Sequence, residues 1–308
     1  MKILGIGNAI VDVICKIDEN FLANNGLIKS TMKLVDEAEL KKLLSNLKIE
    51  KTISGGSVAN SIVGLSQLGN NVGFIGKVND DDLGRKYSEG LTKEKVKFYY
   101  DIKSEKVPTG TCLILITPDS ERTMCTFLGI AGKISEKDIN ANIVKQSNIT
   151  FLEGYLWDLG DPQKALNKAI KNSTISAMSL SDLFCVERHK NFFLDLVQNK
   201  LNITFANEQE MMALIGTSNF NDVIEFAKKT KKLVVVTRGK SGAVAIQNHE
   251  VEQCNAIKNL KIRDLTGAGD LFAAGFLHGY INNLSLRNCL EKGTELSSKI
   301  IQQVGARL

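Results

Sequence analysis

Short apolar runs alternate along this chain with stretches of helical period, and a second group of runs alternates apolar and polar residues one by one. "KILGIG" (2–7) and "NVGFIGKV" (71–78) read as buried strands. "DVICKI" (12–17) and "TMKLVD" (31–36) alternate, which predicts strands with one open face. "SVANSIVGLSQLG" (57–69) places Val58, Ile62, Leu65 and Leu68 on one helical stripe, with Gly69 as the stop. A second exposed β region is expected over "VKFYYDIKS" (96–104), "TGTCLILITPD" (109–119) and "ERTMCTFLG" (121–129). The turn "PDSER" predicts a hairpin between the last two.

From about residue 133 the pattern becomes strand, helix, strand. "NITFLEG", "TISAMSLS", "NITFAN" and "KLVVVTRG" are continuous apolar runs of the kind found in parallel sheets covered on both faces. Helical stretches such as "DPQKALNKAIKN" and "NDVIEFAKKT" separate them. The expected architecture is therefore α/β: one domain over 1–308 built on an open, mostly parallel sheet with helices on both faces. A small β sheet from segments near 12–36 and 96–128 projects from it as a lid. Open α/β sheets bind ligands at the carboxyl ends of their strands, where "NEQE" (207–210), "TRGKSG" (237–242) and "DLTGAGD" (264–270) fall.

Composition narrows the classes. A net charge of +5 is mild, and the lysines of "KKLLSNLKIEK" (41–51) and "KKTKKL" (228–233) read as solvated helix faces. No aromatic residues interleave with them, so no nucleic-acid partner is expected. The six cysteines have no CxxC spacing and several lie in apolar runs, which fits free buried thiols in a reducing cytoplasm. The three histidines share no ligand spacing. No run reaches membrane-spanning length and "MKILGIGNAIVDVI" lacks a leader cleavage pattern, so a soluble cytoplasmic protein is expected.

The chemistry concentrates at "DLTGAGDLFAAGFLHGY" (264–280). A buried helix after Asp270 would present free backbone N–H groups and its positive dipole end. Gly267, Ala268 and Gly269 let main-chain amides approach an anion without Cβ interference. This is a phosphate cradle without the GxxxxGK[ST] loop. Asp270 is also explained as an N-cap, and the glycines as a tight turn. "SGGSVANS" (54–61) opens a second helix with a second glycine pair, and Asp12 follows "GIGNAIV". A dinucleotide reading of Gly5 and Gly7 fails because Ile10 stands at the third glycine position.

Together these segments resemble the PfkB or ribokinase-like family of small-molecule kinases. "DLTGAGDLFAAGF" is similar to its C-terminal signature and "GGSVANSIVGLSQLG" to its N-terminal one. "GKVNDDDLG" (76–84) and "TGTCLILITPDSERT" (109–123) are similar to its intermediate segments. "GNAIVDVI", "FLEGYLWD", "SLSDLFCVERH" and "IIQQVGAR" look most like the bacterial adenosine kinase branch.

The resemblance implies ATP-dependent transfer of the γ-phosphate to a hydroxymethyl group, with ATP and Mg²⁺ required and K⁺ among the implied cofactors. It implies Asp270 as general base, with the amides of Gly267, Ala268 and Gly269 as anion hole. Asp12, Gly55, Gly56 and Asn60 match positions that hold sugar hydroxyls. Asn207, Thr237, Gly239, Gly242 and Thr266 match the nucleotide side, and Arg122 a lid arginine that approaches the phosphates. Glu210 matches a residue that holds Mg²⁺ through water, and Asp264, with the loop near Gly305, a monovalent-cation site. Asn79 stands where many members have glycine, and asparagine tolerates the left-handed geometry that glycine supplies. The segment after "QQVGAR" is expected to be short.

Each position keeps a purely structural explanation: Asp12 as a turn residue, Asn60 as a solvent-facing helix residue, Asn207 and Glu210 as a capping pair. The expected acceptor is the 5′-hydroxyl of adenosine, giving AMP. The motive is an apolar slot: strand alternation puts Met124 and Leu128 on the Arg122 face, and "EGYLWD" adds Tyr155 and Leu156 at a strand end. All four are equally explained as core. The rival readings are a kinase for ribose, fructose or a related sugar, and a nucleoside-binding protein without turnover. Monomer and homodimer both stay open, since exposed lid strands can cover the site or pair with a second chain.

Overall fold

The computed structural model describes residues 2–119, 121–157 and 160–308. Two sheets form its frame, their strands numbered in chain order. The larger contains β1 (Ile3–Ile6), β5 (Val72–Ile75), β6 (Lys97–Phe98), β9 (Ile149–Glu153), β10 (Ile175–Ser179), β11 (Ile203–Asn207), β12 (Leu233–Thr237), β13 (Ala243–Gln247) and β14 (Glu250–Cys254). The smaller contains β2 (Ile10–Lys16), β3 (Met32–Leu34), β4 (Ile49–Ser54), β7 (Gly110–Ile116) and β8 (Arg122–Phe127).

The larger sheet runs β14-β13-β12-β11-β10-β9-β1-β5-β6. Its strands are parallel from β6 through β12, and the β13–β14 hairpin adds the antiparallel edge. Strands β1, β5 and β9 are buried along their whole length, which is why they read as continuous apolar runs. Successive residues serve opposite cores: Phe151 belongs to one apolar cluster and Leu152 to the other. On the first face Phe151, Phe205 and Phe276 meet edge to face, their centroids 5.6 and 5.5 Å apart. This pins the Ala268–Ile281 helix to the sheet, between the Ser57–Gln67 and Leu286–Ile300 helices.

The smaller sheet runs β3-β8-β7-β2-β4. Alternation splits its two faces. Val11, Val13, Cys15, Leu113, Leu115 and Cys125 share an apolar cluster with Leu22, Leu40 and Leu43 of two short helices. Ile10, Cys112 and Ile114 form a separate cluster on the other face, with Ile14, Ile116, Met124 and Leu128 packed against it.

Three segments differ from the sequence expectation. Residues 96–104, expected in the projecting sheet, supply β6 to the edge of the larger one. Residues 41–51 are helical only through Leu44, and β4 follows, pairing antiparallel with β2. The β13–β14 hairpin was not expected at all. The predicted turn between β7 and β8 forms an antiparallel pair, though its Ser120 lies outside the described residues. All six cysteines are buried and free. Among the described residues no helix is long and apolar enough to cross a membrane.

Candidate active site

Asp270 sits in the first turn of the Ala268–Ile281 helix, but it does not cap that helix. The N-cap is Gly267, in the left-handed region at φ 78°. The Asp270 side chain turns instead to the Ser57–Gln67 helix. Its Oδ1 accepts from Ser57 Oγ at 2.6 Å and its Oδ2 from Asn60 Nδ2 at 3.0 Å. Ser61 Oγ donates to the Asp270 carbonyl at 2.9 Å, which locks the two helices in register. The helix end is thus left without a side-chain cap, and a Cβ added at Gly269 would meet only open space. That is the condition for an anion to reach the end of the helix. The Ala268 amide, expected to join the anion hole, donates here to the Leu265 carbonyl at 3.2 Å.

Two cavities flank Asp270. One, of about 420 Å³, is lined by Gly267–Asp270, Asn207, Glu210 and Thr237. The other, of about 610 Å³, is lined by Asp12, Asn60, Arg122, Thr266 and Arg307. The Asn60–Asp270 hydrogen bond joins their walls. A donor on one side and an acceptor on the other would meet at this carboxylate.

On the larger cavity's side, Gly55 lets the backbone lie against Asp12: a Cβ there would stand 2.5 Å from Asp12 Oδ2. Burial pushes the Asp12 carboxyl up to about 7, against the lowering effect of Arg307 and with a raising one from Asp270. Burial likewise pushes Asp270 up to about 6, opposed by the Ser57 and Asn60 hydrogen bonds and by Arg307. A carboxyl near 6, as at Asp270, is mostly ionised at neutral pH and still basic enough to take a proton. Arg307 donates from Nε to Asn60 Oδ1 at 3.1 Å, and its Nη2 is buried without a partner.

Arg122 reaches from β8 to Asp264, Nη1 to Oδ2 at 2.8 Å. The same carboxylate accepts from the Gly305 amide at 2.8 Å, from the Thr266 amide at 3.0 Å and from Thr266 Oγ1 at 2.7 Å. Asp264 therefore has an arginine where the sequence reading expected a monovalent ion, and such an ion would have to displace that side chain.

On the smaller cavity's side, Asn207 and Glu210 form a capping box on the Glu208–Ile215 helix. Glu210 Oε2 accepts from the Asn207 amide at 3.0 Å, Oε1 accepts from Asn207 Nδ2, and Glu210 N–H donates to Asn207 Oδ1 at 2.8 Å. The structural explanation holds for this pair, yet Glu210 is buried with its carboxyl pushed up to about 7, first by burial and further by Asp182. Oxygen ligands and a buried acid suit a hard divalent cation that keeps its waters. Among the described residues no three His, Cys, Asp or Glu side chains converge on a metal. Thr237 lines the cavity, whereas Gly239 (φ 53°) and Gly242 (φ 86°) shape the turn beyond it.

The apolar slot is only half as expected. Met124 and Leu128 lie in the cluster on the small sheet. Leu156 is 2% exposed and belongs to the core of the larger sheet. Tyr155 lines the smaller cavity, with its amide donating to Ser181 Oγ. The two part because Gly154–Leu156 is a 3-10 turn. Asp158 of the same motif lies outside the described residues.

Four polar groups were not singled out from sequence: Asn8, Ser57, Glu153 and Arg307. Glu153, 1% exposed at the end of β9, accepts from Asn8 Nδ2 at 2.8 Å and from the Val58 amide at 3.0 Å. It thereby caps the Ser57–Gln67 helix, whose own N-cap Gly56 (φ 99°) offers no side chain. Burial raises Glu153 to about 7. A lone acid inside "TFLEG" was the available signal.

Comparison with known proteins shows the family and the fold. The family described as "pfkB family carbohydrate kinase" matches residues 27–308. Adenosine kinase 2 of Arabidopsis thaliana is 26% identical, over 98% of this chain and 94% of its own. The crystal structure of adenosine kinase from Sinorhizobium meliloti is 36% identical with a TM-score of 0.91, covering 100% of this chain and 95% of that one. A probable sugar kinase protein from Rhizobium etli CFN 42 is 35% identical with a TM-score of 0.90, covering 99% and 94%.

Proposed function

The chain belongs to the pfkB carbohydrate kinase family, enzymes that phosphorylate an alcohol group, and from that premise we propose that its acceptor is the 5′-hydroxyl of adenosine and its product AMP. One observation carries the choice of acceptor. The face of the small sheet that bears Asp12 and Arg122 also bears Ile10, Ile14, Cys112, Ile114 and Met124, an apolar patch interrupted by Thr126 and edged by Lys51. A flat base fits such a face while the ribose hydroxyls meet Asp12 and Asn60. A free sugar is the second reading, favoured by Lys51, Lys86 and Glu89, which line the same cavity.

In this reading Asp270, held by Ser57 and Asn60, takes the proton of the attacking hydroxyl. The open helix end at Gly267–Gly269 stabilises charge on the transferring phosphoryl group. Arg122 would leave Asp264 for the phosphates as the small sheet closes, and Asp264 with the Gly305 loop would then be free to hold a monovalent cation. A Mg²⁺ ion held through water by Glu210 would offset triphosphate charge.

The test is to incubate the protein with ATP and adenosine, ribose or fructose in turn and identify the phosphorylated product. Adenosine is expected to give AMP, and faster turnover of either sugar would reverse the assignment. A second expected result concerns ions: excess chelator should abolish turnover, and K⁺ should raise it over a bulky organic cation. Full activity in chelator would remove Glu210 from this scheme.

A further inference from the structure

The segment 304–308 runs along the acceptor side of the site and delivers one arginine into it. The Gly305 amide is fixed to Asp264, and Ala306 lies against the helix-end loop, where a Cβ on Gly267 would come within 2.8 Å of its Cα. Leu308 O accepts from Gln67 Nε2 at 3.2 Å. Between these anchors Arg307 turns inward and donates to Asn60 Oδ1.

This contact decides how Asn60 is oriented. A guanidinium only donates and an ionised carboxylate only accepts, so an amide lying between them has one workable orientation: oxygen to Arg307, nitrogen to Asp270. We infer that Arg307 is a positioning residue for phosphoryl transfer, which holds Asn60 in the orientation that fixes Asp270 and supplies the positive charge that this cluster of acids needs. The inference rests on Asp270 being the general base.

The surrounding charges agree. Asp12 from β2, Glu153 from β9, and Tyr87 and Glu94 from the Asp82–Lys93 helix and its end bear on this region, with Arg122 from β8 acting on Asp12. Arg307 lowers the pKa of both Asp12 and Asp270. Removing it leaves burial less opposed, so both carboxyls rise. An acid that must be ionised to work then fails at higher pH, and the acid limb of the rate profile moves up. The buried, unpartnered Nη2 leaves the guanidinium a further donor for an acceptor oxygen.

The experiment measures kcat and KM against pH for the wild type, Arg307→Met, Arg307→Lys, Asn60→Ala and the double variant Arg307→Met/Asn60→Ala, with a thermal melt of each. Arg307→Met is expected to lower kcat by about 10²-fold, as small misplacements of reacting groups do. It should raise the acid limb by about one pH unit. Arg307→Lys should restore the limb by returning the charge, with only part of kcat. On the plateau above the acid limb the double variant should be no slower than Asn60→Ala alone, because one contact is lost only once. Additive losses with an unmoved limb would overturn the inference, as would a faster Arg307→Met enzyme, which would make the segment a plug. A wild type whose rate has no acid limb at all would instead overturn Asp270 as base.

Discussion

Asp270→Asn is expected to lower kcat about 10²–10⁴-fold, the usual worth of a positioned general base, while the protein stays folded and still binds nucleotide. Asparagine preserves the shape of the site. Its Oδ1 can accept from Asn60 Nδ2, and its Nδ2 can donate to Ser57 Oγ, which accepts as readily as it donates. What is lost is the carboxylate alone. Burial disfavours that charge in the native protein, so its removal should leave the melting temperature at neutral pH unchanged or higher. The measurement pairs turnover with a thermal melt. Near-normal kcat would take the base role from Asp270, and a large fall in melting temperature would make the carboxylate a structural tie between two helices.

Much of this could be read from residue order, for physical reasons that also mark where reading stops. Strands such as Leu233–Thr237 are covered on both faces, so their burial leaves an unbroken apolar run. The strand Ile49–Ser54 carries Glu50, Lys51 and Thr52 at the edge of the small sheet, and only its pairing with the Ile10–Lys16 strand makes it a strand. Lys97–Phe98 is two residues long and follows the edge it joins. The helix-end loop was legible because its glycines and acid are contiguous. Glu153 and Asn8 lie 145 positions apart, and Arg307 and Asn60 247, so neither pair leaves a local pattern. Leu156, expected at a strand end facing the slot, lies instead in a 3-10 turn that points it into the core of the larger sheet.

Adenosine is expected to exceed ribose in kcat/KM by about two orders of magnitude, and Met124→Gln to remove about one of them. The argument begins with which side chains share a face. Ile114 pairs with Met124, Ile116 with Arg122, and Asp12 with Cys112, so Asp12, Arg122 and the apolar patch all project from one side of the small sheet. A purine laid on that patch would remove about 100 Å² of apolar surface from water, worth about 2.5 kcal/mol at about 25 cal/mol per Å². Ribose alone gains none of it. Glutamine is close to methionine in size, so the variant leaves packing intact and places an amide where the base would lie, with a desolvation cost of about 1–3 kcal/mol. Leu156→Gln is the contrasting variant: Leu156 lies in the core of the larger sheet, so it should lower the melting temperature without a specific change in acceptor ratio. The comparison is the ratio of kcat/KM for adenosine and ribose in wild type and Met124→Gln. An unchanged ratio would mean that no base rests on this face, and a ratio below one in the wild type would make the acceptor a free sugar.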